Sequence, residues 1–422
     1  MPISVSSPAA SRHQSRHLAR SSALALALAG LATAPLNAES ADMTAGTSKR
    51  VDATIYVPGT SLARFAPAAD RDDHTIDYSY LDEALTWMVI PMGPSIRQGA
   101  RRVEPLTGTR FVYGHNSRFR MEGNRVAFSF LTPDIKAGLT EYRRDLERVG
   151  SSLDITRIPR NEQLAFWFNL HNVAVIEALA SQYPVSQTVD AKFGPDEAPL
   201  DDAKLVTIGG VELSPRDIRE RIVYPNWKDP KVIYGFWRGE IGGPSIQRTA
   251  FTGGNVSFLL SLSGEEFVNS LRGVEKYSGA LQVSEIYREA APFYFEDDAA
   301  LRAHLRQYAG EAVSNLLKKT DETRYNRYER DVADLSHGQR DPALLNLLRA
   351  GDATEAGGLF GIDFVNGLGA APVSSRPDVA VQRFMQERSE KLNRAWRRGI
   401  RTGQVIVGDG DLDEVGKPKE VE

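Results

Sequence analysis

Apolar residues recur every three to four positions in several stretches of the chain, a spacing that is typical of amphipathic helices. This pattern predicts helices at residues 78–89, 135–149, 256–271 and 377–400. Pro91 follows the first stretch and is expected to end that helix, because proline cannot continue the backbone hydrogen bonding. The chain is therefore expected to be rich in helix.

The stretch at 161–180 differs from these, since apolar residues occupy nearly every face of the helix that it predicts. A helix that is apolar all round is usually buried. Asn169, His171 and Asn172 nevertheless lie within it. A buried polar group without a partner costs about 1–3 kcal/mol, so we expect each of these side chains to be hydrogen-bonded. Positions 169 and 172 share a helical face, whereas 171 points elsewhere.

Short stretches rich in β-branched and aromatic residues predict strands. Residues 204–208 and 211–213 flank Gly209 and Gly210, which is a signature of a tight hairpin. Ser214 followed by Pro215 and Asp217 then predicts a capped helix start. Further strands are expected at 110–113, 125–130, 231–237 and 280–284.

Together these elements predict an α+β fold: a mostly helical body around a small antiparallel sheet, with a helical C-terminal extension. The sheet is expected to include residues 205–213, 231–237 and 280–284. We place the main domain at 76–310 and the extension at 311–422, where the Gly- and Ala-rich residues 354–375 predict a linker or long loop.

The N-terminal segment has the features of a secretory signal peptide. Basic residues precede an uncharged apolar stretch at 23–34, which is shorter than the roughly 20 residues that span a bilayer. We expect cleavage after Ala38, with Ala34 as the alternative, and a flexible leader at 39–75. The protein is therefore expected to be exported, to the periplasm or the medium, and no transmembrane segment is predicted.

The composition narrows the classes of function. The chain has 422 residues, 41% of them hydrophobic and 25% charged, which is ordinary for a globular protein. Without residues 1–38 it carries 48 basic and 55 acidic residues, a net charge of −7, which argues against binding to nucleic acid. The chain has no cysteine, so a thiol nucleophile, a thiolate metal site and a disulfide are all excluded.

The sequence NEQLAFWFNLHNVAV at 161–175 resembles the signature helix of an uncharacterised family, domain of unknown function 547, whose core reads approximately LAFWIN-L-YN. The segments VTIGGVELSPRDIRE and DPKVIYGFWRGEIGGPSI are similar to later segments of that family, in the same order. FVNSLRGVE and LQVSEIYRE continue the likeness, which covers about residues 76–310.

The chain departs from this family at the positions that carry reactive groups. Many members have a His and two Cys in the segment that resembles DPKVIYGFWRGEIGGPSI, and the matching positions here are Ile233, Arg238 and Gly243. His171 also stands where the family has Tyr. The resemblance therefore implies that any thiol chemistry of the family is lost in this chain.

Five residues are candidates for a site. Asn169, His171 and Asn172 form either a polar patch beside a pocket, with His171 as an acid, base or ligand contact, or a set of buried hydrogen-bonding anchors. Arg238 and Glu240 lie in a Gly-rich loop. Arg238 is suited to binding a carboxylate or phosphate, and the alternative is a solvated pair in a surface turn.

No metal or cofactor is predicted. No two histidines outside residues 1–38 have the three- or four-residue spacing that places two imidazoles on one helical face. Ser245 has no nucleophile-elbow sequence around it and is not expected to be a nucleophile. The acidic residues at 409–420 lack the glycine that a calcium-binding loop requires, so we interpret this segment as a polar tail. The helix at 377–400, with seven bases between 383 and 401, fits an anionic membrane surface, but packing on the protein body is favoured.

Two functions follow from these observations. The favoured one is a non-catalytic, exported module for binding or assembly, which takes a small-molecule, peptide or envelope ligand. The alternative is a periplasmic hydrolase with an altered, thiol-free catalytic set formed by His171, Glu240 and Arg238. The first is favoured because the family's reactive positions are replaced while its core helix is retained.

Overall fold

The computed structural model describes residues 61–69, 72–105, 112–325, 328–338, 379–400 and 420–421, all within one compact unit, Ser48–Glu422. The predicted signal peptide, the linker at 354–375 and the acids at 409–413 lie outside the described residues. Part of the predicted leader is described, and there Leu62 and Phe65 are buried in the core.

The described residues form α-helices, short strands and irregular helical turns. The α-helices are α1 (Ser79–Met88), α2 (Pro133–Ser152), α3 (Arg160–Gln182), α4 (Tyr224–Asn226), α5 (Val256–Val268), α6 (Ile286–Tyr294), α7 (Asp298–Tyr308), α8 (Glu311–Lys318) and α9 (Val379–Arg397). The strands are β1 (Val89–Ile90), β2 (Arg125–Val126), β3 (Val206–Ile208), β4 (Val211–Leu213), β5 (Val274–Tyr277), β6 (Ala280–Val283) and β7 (Thr323–Tyr325). Short 3₁₀ helices cover Ser61–Phe65, Phe128–Phe130, Thr188–Asp190 and Pro230–Gly235, and Asp217–Val223 is a π-helix.

Helix α3 lies at the centre of the core, as its apolar pattern predicts. Phe166, Trp167 and Phe168 have no exposed surface, and α2 and α5 pack against the same helix. Each such buried side chain contributes roughly 1.5–3 kcal/mol, so α3 supplies a large share of the stabilisation by burial. Within the described residues, α3 is also the helix long and apolar enough to cross a membrane, but 89% of its apolar window is buried inside the protein.

Several helix starts follow from their capping residues. Thr132 accepts a hydrogen bond from the backbone N–H of Ile135, and Pro133 occupies the first position of α2. Ser214 and Asp217 bond reciprocally, since the Asp217 N–H donates to Ser214 Oγ over 3.1 Å and the Ser214 N–H donates to Asp217 Oδ2 over 3.0 Å. The predicted helix start at Ser214 is thus confirmed, although the turns that follow are π-helical.

The predicted α+β fold is confirmed, but the single sheet is wrong. β3 and β4 form a separate antiparallel hairpin whose turn, Gly209 and Gly210, has positive φ angles of 55° and 79°. β5, β6 and β7 form another sheet in which β6 and β7 are parallel. β1 and β2 pair apart from both, and the strand expected at 125–130 ends at Val126.

The strand expected at 231–237 is also wrong. Residues Pro230–Gly235 form a 3₁₀ helix that is capped by Asp229, whose side chain accepts from the Lys231 N–H. Val232, Ile233 and Tyr234 are buried. A short, fully apolar stretch has no periodicity that separates a buried strand from a buried helical turn, which is why the sequence pattern misled here.

Helix α9 packs against the body rather than presenting all its bases to solvent. Arg388 Nε donates to the Pro91 carbonyl over 2.7 Å, and Lys391 Nζ donates to the Met121 carbonyl over 2.7 Å. Both side chains are 2% exposed, whereas the aromatic side chain of Trp396 on the same helix is 73% exposed. Together with β7, which pairs with β6, α9 joins the described part of the predicted extension to the main body.

Candidate functional site

A cavity of about 590 Å³ lies beside the middle of α3, between the π-helix, the Gly-rich loop and α6. Its walls carry charges of both signs. The ionisable lining residues are His171, Asp201, Asp202, Arg216, Glu220, Arg221, Arg238, Glu240, Glu285, Arg288, Glu289, Tyr328 and Arg330. Of the five predicted site residues, the structure brings His171, Arg238 and Glu240 together here.

Both ring nitrogens of His171 are engaged by the protein itself. Arg219 Nη1 lies 3.2 Å from Nε2, and Nδ1 lies 3.0 Å from Asn172 Oδ1. Because a guanidinium only donates, Nε2 must accept and Nδ1 must carry the proton. Burial, reinforced by the charge of Arg219, lowers the pKa of His171 to about 3, so the imidazole is neutral at physiological pH.

Arg219 is a fully buried cation that contacts three residues of the cavity wall, His171, Asp201 and Glu289. Its Nη2 donates to Asp201 Oδ2 over 2.7 Å and its Nε donates to Glu289 Oε1 over 3.0 Å. The residue lies within the π-helix Asp217–Val223, whose wide turn is a feature often found at functional sites. Burial acts to lower the pKa of Arg219, but Asp201 and Glu289 outweigh it and raise that pKa well above its usual value.

Arg238 holds Glu289 from the other side through a bidentate ion pair. Its Nη1 and Nη2 donate to the two carboxylate oxygens over 2.8 and 2.7 Å. Burial acts to raise the pKa of Glu289, yet Arg219 and Arg238 together lower it to about 2. The Glu289 carboxylate thus bonds to both guanidinium groups, and both terminal nitrogens of Arg238 already have a partner within the chain.

Glu240 and Glu220 line the cavity, and the pKa of each carboxyl group is close to neutrality. Glu240 is 8% exposed, accepts a hydrogen bond from Thr188 Oγ1, and has its pKa raised by burial to about 7. Burial, with the negative charge of Glu289, also raises the pKa of Glu220 to about 7. The cavity therefore gains negative charge as pH rises through neutrality.

The two asparagines hold neighbouring segments in place, and neither lines the cavity. Asn169 exchanges two hydrogen bonds with the backbone of Phe251, at 2.7 and 3.0 Å. Asn172 Nδ2 donates to the Gly235 carbonyl over 3.0 Å, while its Oδ1 accepts from the Trp237 N–H over 3.0 Å. Asn169 and Asn172 thus have the contacts of buried hydrogen-bonding anchors, one of the two interpretations of the sequence. Asn169 and His171 have different surroundings, since only His171 lines the cavity.

The family-aligned positions are dispersed. Ile233 is 2% exposed in the core, Arg238 lines the cavity, and Gly243 lies where an added Cβ would be 2.8 Å from the Tyr328 hydroxyl. Ser245 Oγ donates to Glu266 Oε2 over 3.0 Å and accepts from Arg272, so its hydroxyl links these two side chains.

The sequence patterns did not single out Arg219, Asp201 or Glu289. Arg219 lies in the segment SPRDIRE, but nothing in that segment distinguishes it from Arg216 or Arg221. Its partners are 18 and 70 residues away along the chain, and such contacts leave no local signal. The unusual feature of Arg219 is its complete burial, which only the fold reveals.

A second cluster of ionisable side chains lies apart from this cavity. His115, Asp331 and His337 have ligand-type atoms within 4.8 Å of one another. None of the three lines the cavity beside α3. Histidine spacing along the sequence could not reveal this group, because His115 is distant along the chain from Asp331 and His337.

Residues 155–268 match the family model described as "Protein of unknown function, DUF547". The matched segment includes α3, the β3–β4 hairpin, Arg219, Arg238 and Glu240, so this part of the chain is similar to the DUF547 family. Asp201 also falls within the match, whereas Glu289 lies beyond it. No curated protein and no solved structure matches the chain.

Proposed function

We propose that this protein is an exported, non-catalytic binding module whose cavity beside α3 holds a small polar ligand bearing both a cationic and an anionic group, such as a short peptide. The observation that carries the proposal is the state of the cavity's reactive groups. His171 has both nitrogens hydrogen-bonded within the chain, and Arg238 is held by Glu289. Neither group is available as a base or nucleophile activator without breaking these contacts.

The size and the charge pattern of the cavity support a ligand of this kind. A volume of about 590 Å³ falls within the roughly 300–1,000 Å³ that small-molecule sites occupy. Arg288 and Arg330 line the cavity and both are exposed, the Arg330 side chain to 52%. Their guanidinium groups therefore suit an incoming carboxylate. Glu240 and Glu220 offer carboxyl groups that an ammonium group would favour in the ionised form.

A thermal-shift screen of residues 39–422 tests the proposal. The probes are amino acids, dipeptides and tripeptides, compared with simple dicarboxylates and simple amines. We expect a dipeptide or tripeptide to raise Tm, and Arg288→Ala with Arg330→Ala to remove most of that increase. Arg324→Ala is the matched control, because its exposed guanidinium bonds to Glu322 and does not line the cavity.

The pH dependence of binding gives a second readout of the same site. Raising pH from 6 to 7.5 ionises Glu240 and Glu220, whose pKa values are about 7. We expect dipeptide affinity to increase over this interval in the natural protein and to change less in Glu240→Gln. Equal binding by every probe class, or shifts that the Arg288 and Arg330 substitutions leave intact, would argue against a ligand in this cavity.

One observation favours the alternative of a thiol-free hydrolase. Two carboxyl groups with pKa near 7 in one cavity match the requirement of general acid–base catalysis at neutral pH. In that function Glu240, rather than His171, would transfer the proton. Peptide or ester turnover that is lost in Glu240→Gln, with a pH profile centred near 7, would establish hydrolysis in place of binding alone.

A further inference from the structure

We propose that His115, Asp331 and His337 form a binding site for a divalent transition-metal ion, with Zn²⁺ as the representative ion. Two imidazole nitrogens and one carboxylate oxygen converge at this point, His115 from one segment of the chain and Asp331 and His337 from another. Three protein ligands of this type with an open fourth position are typical of zinc sites that retain a water molecule. This site is separate from the proposed ligand cavity and does not depend on it.

The distances suit a small ion. Asp331 Oδ2 lies 3.7 Å from His115 Nδ1 and 3.5 Å from His337 Nδ1. Ligand bonds of about 2.0–2.1 Å in a tetrahedral arrangement place neighbouring ligand atoms roughly 3.3–3.4 Å apart. Both distances are longer than the roughly 2.7–3.2 Å of an ordinary N–H···O hydrogen bond and close to the separation that a shared ion imposes.

Both imidazoles direct a nitrogen without a hydrogen-bond partner toward this point. His115 is 1% exposed, yet its Nδ1 has no hydrogen-bond partner among the described residues. His337 Nδ1 is likewise buried and without such a partner in the described part of the chain. A buried polar atom without a partner is costly, and a metal ion would remove that cost at both nitrogens.

The surrounding hydrogen bonds hold the ligands in the orientation that metal binding requires. His115 Nε2 lies 2.7 Å from Asp334 Oδ1, so this carboxylate favours the proton on Nε2 and leaves the Nδ1 lone pair for an ion. Gln187 Nε2 donates to Asp331 Oδ1 over 2.8 Å, which leaves Oδ2 facing the imidazoles. Carboxylate–histidine–metal arrangements of this kind are usual around bound zinc.

Asp334 also fixes the position of His337. The backbone N–H of His337 donates to Asp334 Oδ1 over 2.9 Å, and that of Gly338 donates to Oδ2 over 2.8 Å. The Tyr183 hydroxyl donates to the same carboxylate over 2.8 Å. A single buried carboxylate thus orients one ligand through its ring and the other through its backbone.

The cluster is accessible from one side. The His337 side chain is 31% exposed, whereas the His115 side chain has no exposed surface and that of Asp331 is 9% exposed. An ion and its water ligand can therefore enter on the His337 side. The same exposure makes His337 the ligand whose removal is least expected to disturb folding.

Metal titration of the full chain, first stripped with a chelator, tests this proposal. We expect Zn²⁺ to bind with 1:1 stoichiometry by calorimetry, and Co²⁺ bound in its place to give the visible absorption bands of a four- or five-coordinate ion. His337→Ala and Asp331→Asn are expected to abolish both signals, while Gln187→Leu weakens binding about 10–100-fold as a positioning residue. Asn at 331 retains an oxygen for Gln187, so this variant is expected to fold.

His74→Ala is the matched control, because it removes an exposed imidazole elsewhere in the chain and is expected to bind Zn²⁺ as the natural protein does. Circular dichroism of each variant verifies that it is folded. The proposal is overturned if the stripped protein shows no saturable 1:1 binding. It is equally overturned if folded His337→Ala and Asp331→Asn bind Zn²⁺ with unchanged affinity.

Discussion

Arg219 lies 3.2 Å from His171 Nε2 and donates to it, so a buried cation contacts the imidazole that lines the cavity. This contact determines the chemistry of the site, because protonating His171 would place two positive charges side by side in a buried position. Arg219 remains charged since Asp201 and Glu289 contact it directly. His171 is consequently a neutral hydrogen-bonding group.

Removing the Asn169 side chain should destabilise the fold. Asn169→Ala leaves the buried N–H and C=O of Phe251 without their partners, and we expect the free energy of unfolding to fall by about 1–3 kcal/mol. Chemical denaturation measures this change. Asn315→Ala, at an exposed position of α8, is the control and should differ little from the natural protein. Equal losses in the two variants would show that Asn169 is not an anchor.

Neutralising Glu289 should lower the free energy of unfolding more than neutralising a carboxylate in an exposed ion pair. Glu289→Gln leaves Arg219 and Arg238 without the carboxylate that joins them, and breaking a buried ion pair costs about 3–5 kcal/mol. Glu322→Gln, which removes an exposed partner of Arg324, should cause no measurable loss. If urea midpoints of the two variants coincide, the network around Glu289 does not stabilise the protein.

Glu240 should make stability depend on pH around neutrality. Its pKa is raised from 4.5 to about 7, so the folded protein binds the proton more tightly than the unfolded chain. The resulting stabilisation is complete below pH 4.5 and is lost as pH rises through 7. Glu240→Gln cannot ionise and should be more stable than the natural protein at pH 8, by at most about 3 kcal/mol.

The comparison at pH 5 and pH 8 provides the control for Glu240. At pH 5 both proteins carry a neutral side chain at this position in the folded state, so their stabilities should lie closer together than at pH 8. Glu141→Gln makes the same substitution at an exposed position of α2 and is the matched control. A constant offset between Glu240→Gln and the natural protein at both pH values would contradict the raised pKa.

Local patterns predicted the helices and the hairpin because each depends on neighbouring residues. The apolar periodicity located α1 and α2 within a few residues, the nearly continuous apolar stretch at 161–180 located α3, and Gly209 and Gly210 marked the β3–β4 turn. The pairing of strands depends on distant parts of the chain, which is why the single predicted sheet is wrong. The parallel pairing of β6 with β7 joins segments separated by α6, α7 and α8.

The candidate site was predictable only in part, for the same reason. His171, Arg238 and Glu240 stood out through an unusual helix and a Gly-rich loop, and the fold brings them to one cavity. The state of each group depends on Arg219 and Glu289, which only the tertiary structure places beside them. His115 is 219 residues from Asp334, and no local pattern records that contact.

The proposed export predicts that the N-terminus is processed. If residues 1–38 are a signal peptide, the protein recovered from the periplasm or medium of an expressing bacterium should begin at Glu39, which intact-mass and N-terminal analysis would show. Replacing the basic residues before position 23 and charging the apolar stretch at 23–34 should retain the uncleaved chain in the cytoplasm. A full-length chain that starts at Met1 in the exported fraction would contradict the proposed cleavage.

The protonation state of the His171 ring is the decisive measurement, because the proposed binding function requires an imidazole that cannot act as a base. Nuclear magnetic resonance of protein labelled with ¹⁵N-histidine, assigned with His171→Gln, reports the protonation of Nδ1 and Nε2. We expect a neutral ring with the proton on Nδ1 throughout pH 5–8, consistent with a pKa of about 3. A ring that titrates between pH 6 and 7, or that carries its proton on Nε2, would contradict it.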